Sequence, residues 1–398
     1  KNKSDKNIIS SFIKFFFNKV PINKFYNYLV TATYMGMVNE LKLSMKLGQF
    51  PIFYKRQKLP QLIKVDESAR KKISKNNFTK GDIQDIFFQI VSNKIPKYFL
   101  EGFTNLVQKT KKLNYPKDPK IIFSSNLLWA DSLTMCYLAE KIEKGTKLIY
   151  GQHGGVYGLN KINFHEKHEL KVSNEYITWG WKSEKKKTQN FGILLNSKKL
   201  SKNQNPKKLL ILMRAVYKYF YTMQSGMGIE RSEDYLNYCK NFYNNLSDQI
   251  KKDTIIRLHT NNFEKEIIKN FNLNKKTQIS QSSFHDDCNN AKLIVNTCNS
   301  TPLLQVLSKN FPSIIIWKSS NNPIREEAKK FIDSLFERNI LFYDHFKAAE
   351  FINKIWTSDI NNWWWNKETQ YTVKKFNEVF SKNNDDLVLN LKQLIKGN

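Results

Sequence analysis

Acidic residues are scarce in this chain: 35 Asp and Glu stand against 65 Lys and Arg in 398 residues, a formal net charge of +30. A balance that basic suggests a polyanionic partner, whether nucleic acid, an anionic membrane face or a phosphorylated substrate. The composition also leans to Lys, Asn and Ile, as AT-rich genomes produce, so charge alone identifies no partner. Cysteine is sparse too. Cys136, Cys239, Cys288 and Cys298 form no CxxC pair and no disulfide framework, which fits buried thiols in a reducing cytoplasm. No apolar run approaches the ~18 residues that span a bilayer. A signal-peptide pattern is missing, as is a repeat of solenoid period. Against these absences, 40% hydrophobic and 14% aromatic residues exclude global disorder.

The length allows two or three domains. Residues 1–115 read as irregular. Between Ile8 and Val30 aromatic residues alternate with Lys14, Lys19 and Lys24, a stretch suited either to a membrane interface or to packing on a neighbouring domain. Residues 55–77 are dense in Lys and Arg and read as a solvated loop and helix face. The pattern sharpens at Ile121–Phe123, a short buried strand. A helix over 127–144, stopped by Gly145, and a strand at Lys147–Tyr150 complete a βαβ unit. A polar linker over Ser197–Pro206 precedes a second alternating series. Its expected strands are Leu209–Met213, Thr254–Leu258, Thr277–Ile279, Lys292–Val295 and Phe311–Trp317, and its expected helices are 231–251, 263–271 and 303–309. The last 50 residues read as helical, with Trp363–Trp365 in a loop or helix start. The expected architecture is α/β and GT-B-like: two Rossmann-like domains facing a cleft, with helical N- and C-terminal extensions. The expected divisions are residues 1–200 (core 118–185) on the acceptor side, 206–345 for the nucleotide sugar, and C-terminal helices over 346–398.

Two places carry chemistry. After the 292–295 strand, Asn299-Ser300-Thr301-Pro302 reads as a helix start, where free N–H groups, the helix dipole and hydroxyls favour an anion. The same residues also make a plain N-cap. In the same domain, His259 ends a strand that includes Arg257. After the 147–150 strand comes Gly151-Gln152-His153-Gly154-Gly155-Val156-Tyr157-Gly158. Four glycines in eight residues stand at a strand's C-terminal end, where open α/β sheets hold ligands. His165, Glu166, His168 and Glu169 follow. Their spacing is not HExxH and would suit zinc only with further ligands, so acid–base, substrate-binding and structural roles stay open. His285-Asp286-Asp287 resembles a Mg²⁺ fragment and reads better as exposed loop charge.

Taken together, Tyr150–Gly158, Glu166-Lys-His-Glu169, Thr178-Trp-Gly-Trp181, Asn299-Ser-Thr301 and the upstream Lys46–Pro51 resemble a family of O-antigen and surface-carbohydrate transferases of GT-B type. The resemblance covers roughly residues 120–330. Members tend to be longer at the N-terminus, which would fit a chain that opens on Lys1. The second-domain signature also resembles that of bacterial sialyltransferases and Kdo transferases, which bind CMP through a His-Pro and a Ser-Ser/Thr pair. Ser300-Thr301 matches, whereas His259-Thr260 matches only in its histidine, so the match to a CMP donor is partial.

The resemblance implies a glycosyltransferase that moves a sugar from a nucleotide donor onto a surface-polysaccharide or lipid-linked acceptor, with a CMP-activated acidic sugar favoured. His259, Asn299, Ser300 and Thr301 would hold the nucleotide phosphate. His153, Glu166 and Asp131, in that order, would supply a base, and Gln152, Gly154, Gly155, His168, Glu169 and Arg257 would contact substrate. A CMP sugar would need neither metal nor other cofactor. Expected partners are the donor and acceptor, with peripheral association at the cytoplasmic face of the inner membrane, and no nucleic acid. A sugar-nucleotide epimerase of the same fold is the nearest rival. A basic nucleic-acid-binding or scaffold protein is the rival from another class, disfavoured because the cations are scattered and no groove-reading motif appears.

Overall fold

The structure, a computed structural model, describes residues 26–59, 63–75, 83–183, 188–195, 205–216, 229–259, 264–318 and 323–397. Among the described residues ten strands fall into two five-stranded sheets. Packing groups residues 1–150 with 388–398 in one compact unit and 151–387 in another.

In the first unit, β1 (Tyr28–Val30) pairs in parallel with β2 (Ile121–Ser124), and β2 pairs in parallel with β3 (Lys147–Gly151). All four β2 residues are buried, as expected of a parallel strand covered on both faces. The described residues between 26 and 115 are more regular than their composition suggests. They hold β1 and the helices α1 (Met37–Lys46), α2 (Glu67–Lys75), α3 (Ile83–Lys94) and α4 (Phe103–Thr110). The expected helix over 127–144 is a 3₁₀ turn at Leu127–Trp129 followed by α5 (Ser132–Glu143), because Asp131 in extended conformation caps the helix there. The C-terminal α17 (Leu387–Lys396) falls in this unit; most of the aromatic stretch from Ile8 lies outside the described residues.

The second unit opens with the glycine loop, then α6 (Phe164–Val172), β4 (Glu175–Thr178) and β5 (Thr188–Asn190). A full parallel sheet follows: β6 (Lys208–Leu212), β7 (Thr254–Arg257), β8 (Ala291–Asn296), β9 (Ser313–Ile316) and β10 (Leu341–Phe342), in spatial order β10-β9-β8-β6-β7. The expected helix over 231–251 is two helices, α7 (Ile229–Asn244) and α8 (Asp248–Asp253), because the Ser247 hydroxyl accepts from the Ile250 N–H and starts a new one. Beyond α9 (Glu264–Phe271), the expected strand at Thr277–Ile279 is instead the short α10 (Lys275–Gln278), capped by Asn274. Only Ile279 bridges to the sheet, at Ile256. Next come α11 (Phe284–Asn290), α12 (Thr301–Ser308), α13 (Glu326–Glu337), α14 (His345–Thr357), α15 (Ile360–Trp364) and α16 (Lys367–Phe380). Trp364 closes α15 fully buried, its indole N–H on Asn310. The expected linker lies almost entirely outside the described residues.

A buried ion pair organises the helices of the first unit. The Arg70 guanidinium bonds both oxygens of Glu101, at 2.7 and 3.0 Å, and donates to the carbonyls of Ser92 and Ile95. The Arg70 contact pulls the Glu101 carboxyl down to about 2. A depressed carboxyl contributes stability above its unfolded value, near 4.5, and loses it as pH falls toward 2. Arg70→Met should therefore lower the melting temperature at pH 7, with the deficit shrinking between pH 4.5 and 2. A variant melting with the parent at neutral pH would refute this role.

Candidate functional site

In the second sheet the chain runs from β6 to β7 on one side and then returns past β6 to β8 on the other. Loops after the carboxyl ends of β6 and β8 therefore diverge, and such a switch point is where open parallel sheets take ligands. The sequence here supplies Arg214 after β6 and Thr297–Ser300 after β8. The Thr297 amide and hydroxyl both donate to the Leu212 carbonyl, at 3.2 and 2.8 Å. Buried Tyr235 joins the two loops: its hydroxyl accepts the Arg214 N–H at 2.9 Å and lies 2.6 Å from the Thr297 hydroxyl. Burial raises the Cys298 thiol, while Arg214 and a hydrogen bond with Ser300 act against that rise. The Arg214 charge thus bears on the loop that ends at Ser300.

Ser300 is the backbone N-cap of α12, and its side chain makes no capping bond. Pro302 sits in the first turn, where a missing N–H costs nothing, so the helix starts two residues before the expected Leu303. Around this start the polar groups are under-used. Asn296 is 1% exposed, and neither its Oδ1 nor its Nδ2 has a partner among the described residues. Asn299 donates to the Asn160 Oδ1 at 2.8 Å while its own Oδ1 has no partner there.

The glycine loop closes on this helix start. A Cβ on Gly155 would collide with the Ser300 carbonyl and the Thr301 nitrogen, and a Cβ on Gly154 would meet the Thr301 hydroxyl at 4.0 Å. Wholly buried Gln152 fixes the loop's shape. Its Nε2 donates to the Gly154 carbonyl, its Oε1 accepts from the Trp179 N–H and the Trp181 indole, and its carbonyl takes the Trp179 indole. Both tryptophans of the Thr178-Trp-Gly-Trp181 motif are thereby used to read one glutamine.

His153 follows Gln152. Its Nδ1 lies 3.4 Å from Glu169 Oε1 and 3.3 Å from the Tyr157 hydroxyl. Glu169 is fully buried and accepts the hydroxyls of Tyr157 and Tyr176 at 2.9 and 2.8 Å. Burial, with His165 adding to it, pulls the His153 imidazole down to about 4, which leaves it neutral at physiological pH.

Other expected site residues are placed differently. Glu166 is buried and has both oxygens engaged: Oε2 takes the Gly158 N–H at 2.8 Å and Oε1 takes Arg325 at 2.7 Å. Arg325 also binds the Asn160 carbonyl and lies over the Trp181 ring. Asp131, in the first unit, accepts the Tyr54 hydroxyl, the Gln57 N–H and both Thr134 donors. Burial works to raise its carboxyl, but these donors outweigh it and hold the group below the usual range. A carboxylate so occupied is a helix cap rather than a free base. It borders a cavity of about 340 Å³ lined also by Ala32, Tyr54, Arg56, Asn126 and Trp129.

Arg257 is committed to Asp287 at 2.6 Å, which also removes Asp287 from the suspected Mg²⁺ fragment. His168 is exposed on α6. His259 is exposed at the same sheet edge as Thr297 but across β6, roughly 10 Å away at two strand spacings. Thr260 lies outside the described residues. Among the described residues no three His, Cys, Asp or Glu groups gather as a metal site. Arg214, Asn296 and Arg325 are not singled out by the sequence, and Tyr157 stands there only as a member of the glycine-loop motif without a role of its own. Position just beyond a strand would have pointed to Arg214, whereas nothing local to Arg325 announces Glu166.

The Glu166–Arg325 pair gives a direct test. Arg325→Met should cost about 3 kcal/mol, because it leaves a buried carboxylate oxygen unpaired while Arg325 itself keeps some solvent contact. Urea unfolding measures this, and Glu166→Gln in the same chain should recover part of the loss. An unchanged midpoint would show that the pair does not hold the loop.

No curated protein matches the chain. Among solved structures it is similar to MurG of Acinetobacter baumannii, with 11% identity over 93% of this chain and 99% of the other at a TM-score of 0.44. It is similar to the wall teichoic acid polymerase TagF (8%, 98% and 94%, 0.44) and to the glycosyltransferase SnogD of Streptomyces nogalater (9%, 93% and 99%, 0.45). The family model described as LIC12162 family transferase matches residues 1–395, and the chain belongs to that family of transferases.

Proposed function

We propose that the protein is a nucleotide-sugar-dependent glycosyltransferase whose donor phosphate binds at the start of α12. The observation that supports this reading is the close approach of Gly154-Gly155, the residues that follow His153, to Ser300-Thr301 at a helix N-terminus and a sheet switch point. The helix start, the Ser300 and Thr301 hydroxyls and Arg214 favour negative charge there.

In the transfer, a base takes the proton of the acceptor hydroxyl, and the acceptor oxygen forms a bond to the anomeric carbon. The bond from that carbon to the donor phosphate breaks, and its electron pair leaves with the nucleotide. The α12 start and Arg214 stabilise the growing phosphate charge, a preorganised electrostatic contribution. His153 is assigned as the base and Glu169 as the carboxylate that orients it. Glu166 and Asp131 are not assigned as bases, since their oxygens are already occupied. A CMP-activated acidic sugar remains the favoured donor, on Ser300-Thr301, and the acceptor is a surface glycan or a lipid-linked one.

A thermal-shift panel of CMP, UDP, GDP and their sugars tests the donor, because a nucleotide that binds the folded state raises its melting temperature by mass action. Ser300→Ala and Arg214→Met should remove that shift and raise donor KM. His153→Asn should cut kcat by about 10²–10⁴-fold and spare the shift. No nucleotide shift in the parent, or full turnover in His153→Asn, would end the respective assignment.

The pH profile gives a separate check. An imidazole held near 4 stays deprotonated down to that pH, so kcat/KM should be level from neutrality to about pH 5 and fall around pH 4. A limb near 6.5, the ordinary histidine value, would contradict a buried neutral base. The same depression withdraws folding stability as pH falls from 6.5 toward 4, because only the unfolded histidine takes up its proton there. Rates in that window are therefore to be read at temperatures where the chain stays folded.

A further inference from the structure

The helices of the first unit carry an apolar face that the fold turns outward. On α3, Ile83, Ile86, Phe87 and Ile90 are 81%, 59%, 60% and 56% exposed. Their spacing of three, four and seven residues puts them in one stripe along the helix. Single exposed apolar residues are ordinary, but a contiguous row of four large ones marks an interaction surface. The orientation is fixed from the other side of the helix: Arg70, locked to Glu101, takes the Ser92 carbonyl, and Ser92 is buried.

Cations accompany the stripe. Lys94, four residues beyond Ile90, is exposed at its end, and α2, packed beside α3, exposes Lys71 and Lys72. Residues 55–75 contain eight Lys and Arg against two acidic residues, Asp66 and Glu67, and of the eight Arg70 is spent on Glu101. An apolar stripe bordered by lysines is the pattern of a helix lying in a bilayer interface, with its apolar face at the acyl boundary and its cations at the headgroups. Among the described residues no helix is long and apolar enough to cross a membrane. A second copy of the chain is the worse occupant, since two surfaces of the same positive sign would meet.

We propose that α3, with the basic α2 beside it, docks the first unit on an anionic lipid surface. This deepens the lipid-linked acceptor reading of the proposed function and rests on it only for its biological purpose. The docking is measured without any sugar nucleotide, so failure of one leaves the other standing.

The experiment is co-sedimentation of the full chain with vesicles of phosphatidylcholine, with and without phosphatidylglycerol. Binding is expected only with the anionic lipid, weakening as salt is raised. Substituting Ile86→Ser and Phe87→Ser together should weaken it by about tenfold or more at an unchanged melting temperature, because both side chains are already exposed. Lys71→Glu with Lys72→Glu should weaken it as well. Hydrogen exchange on the unaltered chain gives an independent reading: amides of residues 83–94 should be protected by anionic vesicles. The proposal is overturned if the parent ignores anionic vesicles, if the double serine variant binds as tightly as the parent, or if exchange over 83–94 is unaffected. Concentration-dependent dimers abolished by the serine pair, without vesicle binding, would overturn it in favour of contact between copies.

Discussion

The second unit depends on a contact that only a residue without a side chain can make. Gly155 lies so close to the Ser300 carbonyl and the Thr301 nitrogen that any β-carbon would have to displace backbone. Backbone laid on backbone at a helix start brings a strand-end loop and an anion-favouring dipole into one place within this unit. The surrounding bonds serve this approach. Gln152 sets the loop's path, and Glu166 ties Gly158 to Arg325. The Asn160 Oδ1 takes the Asn299 amide, while the neighbouring Lys161 N–H reaches the Pro323 carbonyl.

This arrangement separates roles that the chemistry of the side chains leaves mixed. Three carboxylates near the glycine loop or the first βαβ unit look equivalent as residue types. Their environments divide them: Glu169 is enclosed by two phenols and lies against an imidazole, Glu166 is spent on an arginine and a backbone amide, and Asp131 is spent on a helix cap. Only the imidazole keeps both a neutral form and a route to solvent.

Much of the α/β series is legible because buried parallel strands are written as short apolar runs, as in Ile121–Phe123 and Leu209–Leu212, and because glycines and prolines punctuate them. The illegible parts share a physical cause. In α2 the sequence Glu67–Lys75 shows little apolar content, since what anchors it is an ion pair from Arg70 to a residue 31 positions away. At Thr277–Ile279 three strand-like residues lose to the Asn274 cap before them. In the site, the Ser-Thr-Pro start is visible because capping chemistry is local. The fate of Glu166 is not, since its partner lies 159 residues further along. Short local signals survive in a sequence; long-range charge pairing has to be seen in space.

Asn296 carries a consequence of its own. At the last position of β8, an amide shut away from solvent has both ends unbonded among the described residues, and a buried polar group left without any partner costs about 1–3 kcal/mol. A donor and an acceptor brought to that strand tip by any neighbour offset this cost, and an apolar neighbour does not. An apolar side chain of equal size at that strand end would demand no partner, so the choice of asparagine there makes the sheet's end a place that calls for polar company.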